Sequence, residues 1–258
     1  MKKTLASIGI SPDRVHVFDE IDSTNLEAVR RARVSAPTDI EIFIARAQSA
    51  GRGRLGRSFV SERGAGIYLS ISLPKSYHSG DSLTAHTAAA LASMLDAAFG
   101  IETKIKWVND IYLSDKKLCG ILVEAVTSTD GNIIGFVVGM GINVYKNAIT
   151  DEISDIATSL EHEGILIDDT DELAAMMVES FISRVLTDPD GAALLSEYRM
   201  RSLVVGKEIT VMPTVGEEYT ATAISINDDF TLKIRLADGS IRTLASGDVK
   251  TRIKYTSY

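Results

Sequence analysis

The 258-residue sequence is most informative first by what it lacks. It has a single cysteine, Cys119, so no intrachain disulfide can form and no structural zinc site can be built from thiolates. That suits a reducing compartment. It has five prolines and 6% aromatic residues against 45% hydrophobic residues overall, which excludes collagen-like and disordered chains and fits an ordinary folded protein. It has no basic excess: 27 Lys plus Arg against 35 Asp plus Glu leave a net charge of −8. A protein whose whole surface grips nucleic acid or anionic lipid needs a basic face, so that class is excluded. It has no long apolar run, because its most apolar stretch, Ile133 to Val144, is too short and too rich in glycine to span a bilayer. Lys2 and Lys3 precede a few apolar residues, but Gly9, Pro12, Asp13 and Arg14 end that stretch before any cleavage site, so no signal peptide is read. A cytoplasmic protein is expected. With four scattered histidines and no paired-histidine motif, P-loop or nucleophile elbow, the familiar metalloprotease, NTPase and hydrolase signatures are missing too.

What is present reads as an α+β chain. Asp22-Ser23-Thr24-Asn25 offers N-cap residues to a helix over Leu26 to Val34, with Leu26, Val29 and Arg33 on one face. Ile40 to Ala47 reads as a strand. From Ser49 to Gly66 glycines alternate with arginines in a pattern that neither helical nor strand periodicity explains, which marks a long loop. Ile67 to Leu73 is a strand, and Asp81 to Phe99 an alanine-rich helix stopped by Gly100. Short apolar segments at 105–108, 111–113, 118–125 and 133–144, joined by turn residues, predict an antiparallel meander. Helices follow at 171–186, by an apolar face at 174, 177, 178, 181, 182 and 185, and at 191–200, through Leu194, Leu195 and Tyr198. Beyond a boundary near residue 203 the texture becomes short strands at 208–212, 219–226, 230–237, 240–245 and 249–255, enough for a small barrel.

Four segments could carry chemistry. Gly51-Arg52-Gly53-Arg54-Leu55-Gly56-Arg57 combines backbone that a ligand can approach with guanidinium groups that fork onto phosphate or carboxylate. On composition alone it is equally a solvated or RNA-binding loop. Its brevity, its lack of aromatic partners other than Phe59 and the acidic chain around it favour a small anion. Lys106-Trp107-Val108-Asn109-Asp110 gathers a lysine, an amide and a carboxylate at a strand end, although Asn-Asp alone commonly just turns a chain. In Lys116-Lys117-Leu118-Cys119-Gly120-Ile121-Leu122-Val123-Glu124 a lysine stands at a strand mouth, where it is usually a solvated guard. Gly120 within the apolar run signals close approach to the backbone, and Cys119 reads as a small core residue. Gly139-Met140-Gly141-Ile142-Asn143 ends a buried strand without the strand-to-helix setting of a dinucleotide fingerprint.

In this order and spacing, from about Asp22 to Leu160, the segments resemble the biotin protein ligase family. The resemblance rests on Asp22-Ser23-Thr24-Asn25, Gln48 before Ala50-Gly51-Arg52-Gly53-Arg54, Lys106-Trp107-x-Asn109-Asp110, Lys117-Leu118-x-Gly120-Ile121-Leu122-x-Glu124, Gly139-x-Gly141-Ile142-Asn143 and Ala157-Thr158-Ser159-Leu160. It implies a mixed-sheet α+β catalytic domain related to class II aminoacyl-tRNA synthetases over residues 1–202, then a small SH3-like β-barrel over 203–258. It implies that biotin and ATP, normally with Mg2+, give biotinyl-5′-AMP, and that biotin then passes to one lysine of the biotin carboxyl carrier domain of a carboxylase.

By the same resemblance Ser23, Thr24, Asn25, Gln48, Gly120, Gly139 and Gly141 belong to the biotin pocket, and Arg52, Gly53 and Arg54 to the loop that closes over biotin and its adenylate. Lys117 is the central lysine between carboxylate and α-phosphate, acting with Arg54 and Asp110. Arg57, Phe59, Lys106, Asn109, Asp110, Asn143 and, by a looser match, Arg252 belong to the ATP side. Phe59 stands where the family commonly has tryptophan, Leu55 where it often has a second arginine and Val108 where it usually has proline. With the first motif at residue 22 there is no room before it for the winged helix of the repressor-type members, so a monofunctional ligase without DNA binding or membrane attachment is expected. Many members pair as homodimers through a sheet edge. Two alternatives stay open: a lipoate or octanoate ligase of the same superfamily, and a non-catalytic nucleic-acid or metabolite-binding module using the arginine loop.

Overall fold

The computed structural model describes residues 1–78, 80, 82–188, 191–213, 216–245 and 248–251. Its centre is a mixed seven-stranded sheet in the order β1-β2-β3-β7-β6-β5-β4. These strands run over Val15–Phe18 (β1), Glu41–Ala45 (β2), Gly66–Pro74 (β3), Lys104–Lys106 (β4), Asp110–Leu113 (β5), Lys116–Thr127 (β6) and Ile133–Asn143 (β7). The short connections joining β4 to β7 make the expected antiparallel meander. The pair β1–β2 is parallel, because the α2 helix (Thr24–Val34) supplies the crossover between them. Neither β1 nor the short α1 helix (Lys2–Ser7) was foreseen, since four residues bounded by Arg14 and Asp19 carry too little alternation to stand out.

The sheet is covered on both faces. On one side lie the α3 helix (Leu83–Phe99), α4 (Thr170–Ser180, continued as a π-type turn over Phe181–Leu186) and α5 (Ala192–Met200). Against them pack Leu69, Ile71, Val138, Met140 and Ile142. The alanines of α3 let it lie close to the strands, and Gly100, at φ 65°, takes the left-handed position that ends it. On the other side α2 rests on Phe43, Val126 and Val137 through Ala28 and Ala32. This corrects the expected face of α2: Leu26 and Val29 are only half-buried and Arg33 is exposed, whereas Asn25, Ala28 and Ala32 are buried. The helix sits so near the sheet that only small side chains fit beneath it.

Residues after Leu203 form a five-stranded antiparallel sheet in the order β11-β10-β9-β8-β12. Its strands are Glu208–Met212 (β8), Tyr219–Ile226 (β9), Leu232–Arg235 (β10), Ile241–Leu244 (β11) and Asp248–Thr251 (β12). Phe230 was expected in a strand. Instead it occupies a left-handed turn position, φ 61°, because Asn227 N–H donates to the Thr231 carbonyl and Asp229 accepts from Thr231 N–H. Its ring meets His86 of α3 (centroids 4.8 Å apart) and Tyr198 of α5 (5.5 Å), and its carbonyl accepts from Trp107 Nε1–H at 2.9 Å. Among the described residues no helix is long and apolar enough to cross a membrane.

His86 makes this junction sensitive to acid. It is 3% exposed. Gly80 N–H donates to His78 Nδ1, so His78 Nε2–H points at His86 Nδ1, 3.1 Å away. Burial first, and then the neighbouring His78, push the His86 pKa from 6.5 down to about 4, with Asp188 opposing; Ser82, the Phe230 ring and the Gly191 backbone also face it. The unfolded chain therefore binds more protons than the native one between these values. Stability should fall as the pH drops from 6.5 to about 4, by up to about 3 kcal/mol from this group. Urea unfolding at pH 7 and pH 4.5 should show a steeper loss for the wild type than for His86→Gln; parallel losses would remove His86 as the cause.

Candidate active site

The site lies where the start of α2, the middle of β3 and the ends of β6 and β7 meet the arginine loop. Two adjoining pockets share Phe59 and Lys117. The first is lined by Ser23, Thr24, Asn25, Gln48, Arg52, Gly53, Arg54, Asn109, Gly120, Gly139 and Gly141, together with Tyr68, Leu69, Ile121, Leu122 and Met140. The second is lined by Arg57, Ser58, Val60, Lys106, Asp110, Tyr112, Asn143, Ile153, Ile156, Ala157 and Lys250.

The first pocket has a polar, buried end. Ser23, Thr24 and Asn25 are at most 4% exposed. Ser23 caps α2, while Thr24 N–H donates to Gln48 Oε1 at 2.8 Å, and Gln48 Nε2–H donates to Ser61 Oγ at 2.9 Å. Ser70, fully buried on β3, brings its Oγ within 2.7 Å of Thr24 Oγ1 and 2.6 Å of Asn25 Oδ1. The result is a rigid set of donors and acceptors in an otherwise apolar wall, the usual construction of a small-molecule site.

The glycines make room for protein groups as well as for a ligand. Gly120 and Gly141 face each other across the β6–β7 ladder. A Cβ on Gly141 would lie 2.8 Å from the Phe59 ring, and one on Gly120 would lie 3.1 Å from Lys117 Cε and Nζ. A Cβ on Gly139 would run into Asn25 Oδ1. The close approach expected at Gly120 is therefore the folded-back lysine beneath Phe59.

The positive groups at the junction each face a partner. Lys117 Nζ is 2.8 Å from Asp110 Oδ1, Arg54 donates to Asn109 Oδ1 at 3.0 Å, and Arg52 donates to Glu124 Oε1 at 2.9 Å. Asn109, 9% exposed, uses its Nδ2 toward Asp110 Oδ1 and the Ile121 carbonyl, and so turns toward the first pocket while Asp110 turns toward the second. Lys106 Nζ stands over the Tyr112 ring at 5.7 Å. Asn143 Nδ2–H donates to the Thr158 carbonyl, and Thr158 N–H to the Lys117 carbonyl, so Ala157-Thr158-Ser159-Leu160 braces both strand ends. Leu55, half-exposed in the loop, has φ 55°. Cys119 is buried, and its burial pushes the thiol pKa up to about 12, in keeping with a core role.

The predicted residues thus converge, apart from Arg252, which lies outside the described residues. Two further residues belong to the site, Ser70 behind the polar end of the first pocket and Lys250 at the second. Ser70 alternates with Ile67, Leu69, Ile71 and Leu73, and a hydroxyl on the second face of a strand buried on both sides was a readable signal. Lys250 reaches the second pocket from β12, and no local pattern announces that.

Residues 17–143 match the biotin/lipoate A/B protein ligase family. The chain is 39% identical over 146 residues to the bifunctional ligase/repressor BirA of Bacillus spizizenii, a match that takes in 55% of this chain and 44% of that protein; the chain thus spans less than half of that relative. It is 28% identical over 256 residues to the biotin–[acetyl-CoA-carboxylase] ligase of Mycobacterium tuberculosis, covering 96% of this chain and 93% of that one. The fold is similar to that of the biotin protein ligase from Aquifex aeolicus in complex with biotin and ATP, with a TM-score of 0.75, 26% identity and coverage of 92% and 98% of the two chains.

Proposed function

Because the chain belongs to the biotin/lipoate A/B protein ligase family, we propose that it is an ATP-dependent biotin protein ligase, which forms biotinyl-5′-AMP and transfers biotin to a lysine of a carboxylase's biotin carboxyl carrier domain. One observation carries this reading: two adjoining pockets, one with a buried polar end and one lined by cations, share Lys117. A ureido ring offers both donors and acceptors, which Ser23, Thr24, Asn25 and Gln48 would meet. The dithiolane or alkyl chain of lipoate or octanoate has no use for them, which favours biotin.

With biotin's head at that end, its carboxylate reaches the junction, and the second pocket takes ATP, with Phe59 available to stack on adenine. Arg54 and Lys117 offset the charge that gathers as the carboxylate oxygen attacks the α-phosphorus and pyrophosphate leaves. Arg57, Lys106 and Lys250 line the pocket that would hold the phosphates. In the second step the carrier lysine's amine attacks the acyl carbon and AMP departs; no covalent enzyme intermediate is needed.

Mg2+ fits as an ion carried by the triphosphate. Among the described residues no cluster of three His, Cys, Asp or Glu could hold a resident ion, and Asp110 is the one carboxylate among the residues lining the second pocket. A single carboxylate suits Mg2+, which keeps most of its water and phosphate ligands. On this reading residues 1–202 are the ligase domain, related to class II aminoacyl-tRNA synthetases, and 203–258 an SH3-like barrel; the five antiparallel strands β8–β12 support the latter. ATP use and a single buried thiol suit the cytoplasm.

The test is incubation with ATP, Mg2+ and a biotin carrier domain, with either biotin or lipoate. The acceptor should gain the mass of one biotinyl group and none from lipoate. Lipoylation alone would move the assignment to the lipoate branch, and no pyrophosphate release with either acid would refute ligase activity.

A further inference from the structure

Glu124, on β6, contacts two residues that line the first pocket, Asn25 and Arg52. Gly120, Leu122 and Glu124 share one face of that strand; the first two lie opposite glycines of β7, and Glu124 is opposite Val137. Its carboxylate is divided. Oε2 accepts from Asn25 Nδ2 at 3.0 Å, while Oε1 and Oε2 accept from the Arg52 Nη1 at 2.9 and 3.2 Å. The Asn25 amide is thereby fixed, its carbonyl toward Ser70 and its NH2 toward Glu124 and the Leu122 carbonyl. The same carboxylate ties Arg52 to the sheet across 72 residues of sequence.

We infer that Glu124 is a positioning residue that couples the filling of the biotin pocket to closure of the arginine loop, through Asn25 on one side and Arg52 on the other. This rests on the biotin-ligase reading. A ligand that fixes Asn25 fixes the carboxylate, and the carboxylate fixes the loop's first arginine. Without ligand, the same pair holds the loop near the sheet.

Glu124→Gln separates the two arms, because the amide oxygen still accepts from Asn25 but carries no charge toward Arg52. Glu124→Ala removes both. In the full-length protein, Glu124→Gln should raise KM for biotin and shorten the half-life of retained biotinyl-adenylate by about fivefold to tenfold each, while kcat for adenylation stays within about threefold. Amide exchange over residues 50–64 in the presence of biotin and ATP should speed up in the variant. Arg52→Ala should be no further impaired by adding Glu124→Gln, as expected of two groups acting through one contact. Unchanged KM, retention and exchange in Glu124→Gln, or fully additive effects in the double variant, would overturn the coupling while leaving the ligase reading intact. A wild-type protein that binds no biotin by calorimetry would overturn both. Glu124→Gln is isosteric and leaves the fold's packing unchanged, so the test does not depend on whether Glu124→Ala folds.

Discussion

Replacing Lys117 with alanine should lower the rate of biotinyl-adenylate formation by about 100- to 1000-fold, the range seen when a single preorganised charge-stabilising donor is removed from a reaction centre. Lys117 is the second residue of β6; its side chain folds back over Gly120 and lies at the wall shared by both pockets. No other lysine or arginine among the described residues lines both. In the proposed reaction a carboxylate and an α-phosphate must approach within bonding distance, and the repulsion between them grows as the new bond forms. A cation at the shared wall lowers that repulsion most at the transition state, so kcat should fall more than biotin affinity. Asp110, 2.8 Å from the Lys117 Nζ, holds that cation at the shared wall. The variant also leaves Asp110 facing the incoming phosphates without its counter-charge, which adds to the loss. Pyrophosphate release under saturating ATP and biotin reads the effect. Lys116→Ala is the control, since Lys116 donates to the Ser154 carbonyl and lines neither pocket. A Lys117→Ala rate within a few-fold of the wild type would remove the lysine from the reaction.

How far the sequence alone led can be judged on particular residues. The meander was readable because each turn is short and each strand apolar, so antiparallel pairing was the only economical connection. The arginine loop was readable because it broke every period. The local halves of the site were readable for a related reason: Asn109, Asp110, Lys117 and Asn143 are polar residues at the ends of apolar strands, where a folded chain gathers them at one edge. What could not be read was which halves meet. The contacts of Arg52 with Glu124 and of Arg54 with Asn109 join residues far apart in sequence, and nothing in either segment encodes the partner. Hydrophobicity does not mark the buried face of α2, because the nearby sheet selects for size and admits alanine. Lys250 escaped because a residue exposed in its own sheet becomes part of a site only through the packing of that sheet against the rest.

That packing turns on Phe230, and Phe230→Ala should destabilise the protein by about 3–5 kcal/mol, the usual cost of removing a buried aromatic ring. The ring is 6% exposed and is held edge-on by both His86 and Tyr198. The ring touches α3 and α5 at once, and Arg199 of α5 separately donates to the Ile226 carbonyl and to Asp228. The backbone contributes separately: the Phe230 carbonyl accepts from Trp107 Nε1–H, and Trp107, 1% exposed, directly follows Lys106 of the second pocket and sits two residues before Asn109. Tyr198, on the other side of the ring, donates its hydroxyl to the Val108 carbonyl at 3.2 Å. The strand end that presents Asn109 and Asp110 is thus braced by the same cluster that docks the C-terminal sheet. Alanine at 230 keeps the left-handed backbone position but leaves a cavity between His86 and Tyr198, whereas Phe230→Leu refills much of it and should recover more than half of the loss. Because Lys250 arrives on the docked sheet, the variant should also raise KM for ATP while leaving KM for biotin nearly unchanged, the first pocket being lined, among the described residues, by none of that sheet. Urea unfolding followed by Trp107 fluorescence gives the stability, and steady-state kinetics in each substrate give the split. A stability loss with both KM values unmoved would show that the ring holds the fold together without shaping the phosphate pocket, and a loss below about 1 kcal/mol would show that it is not the anchor of the junction.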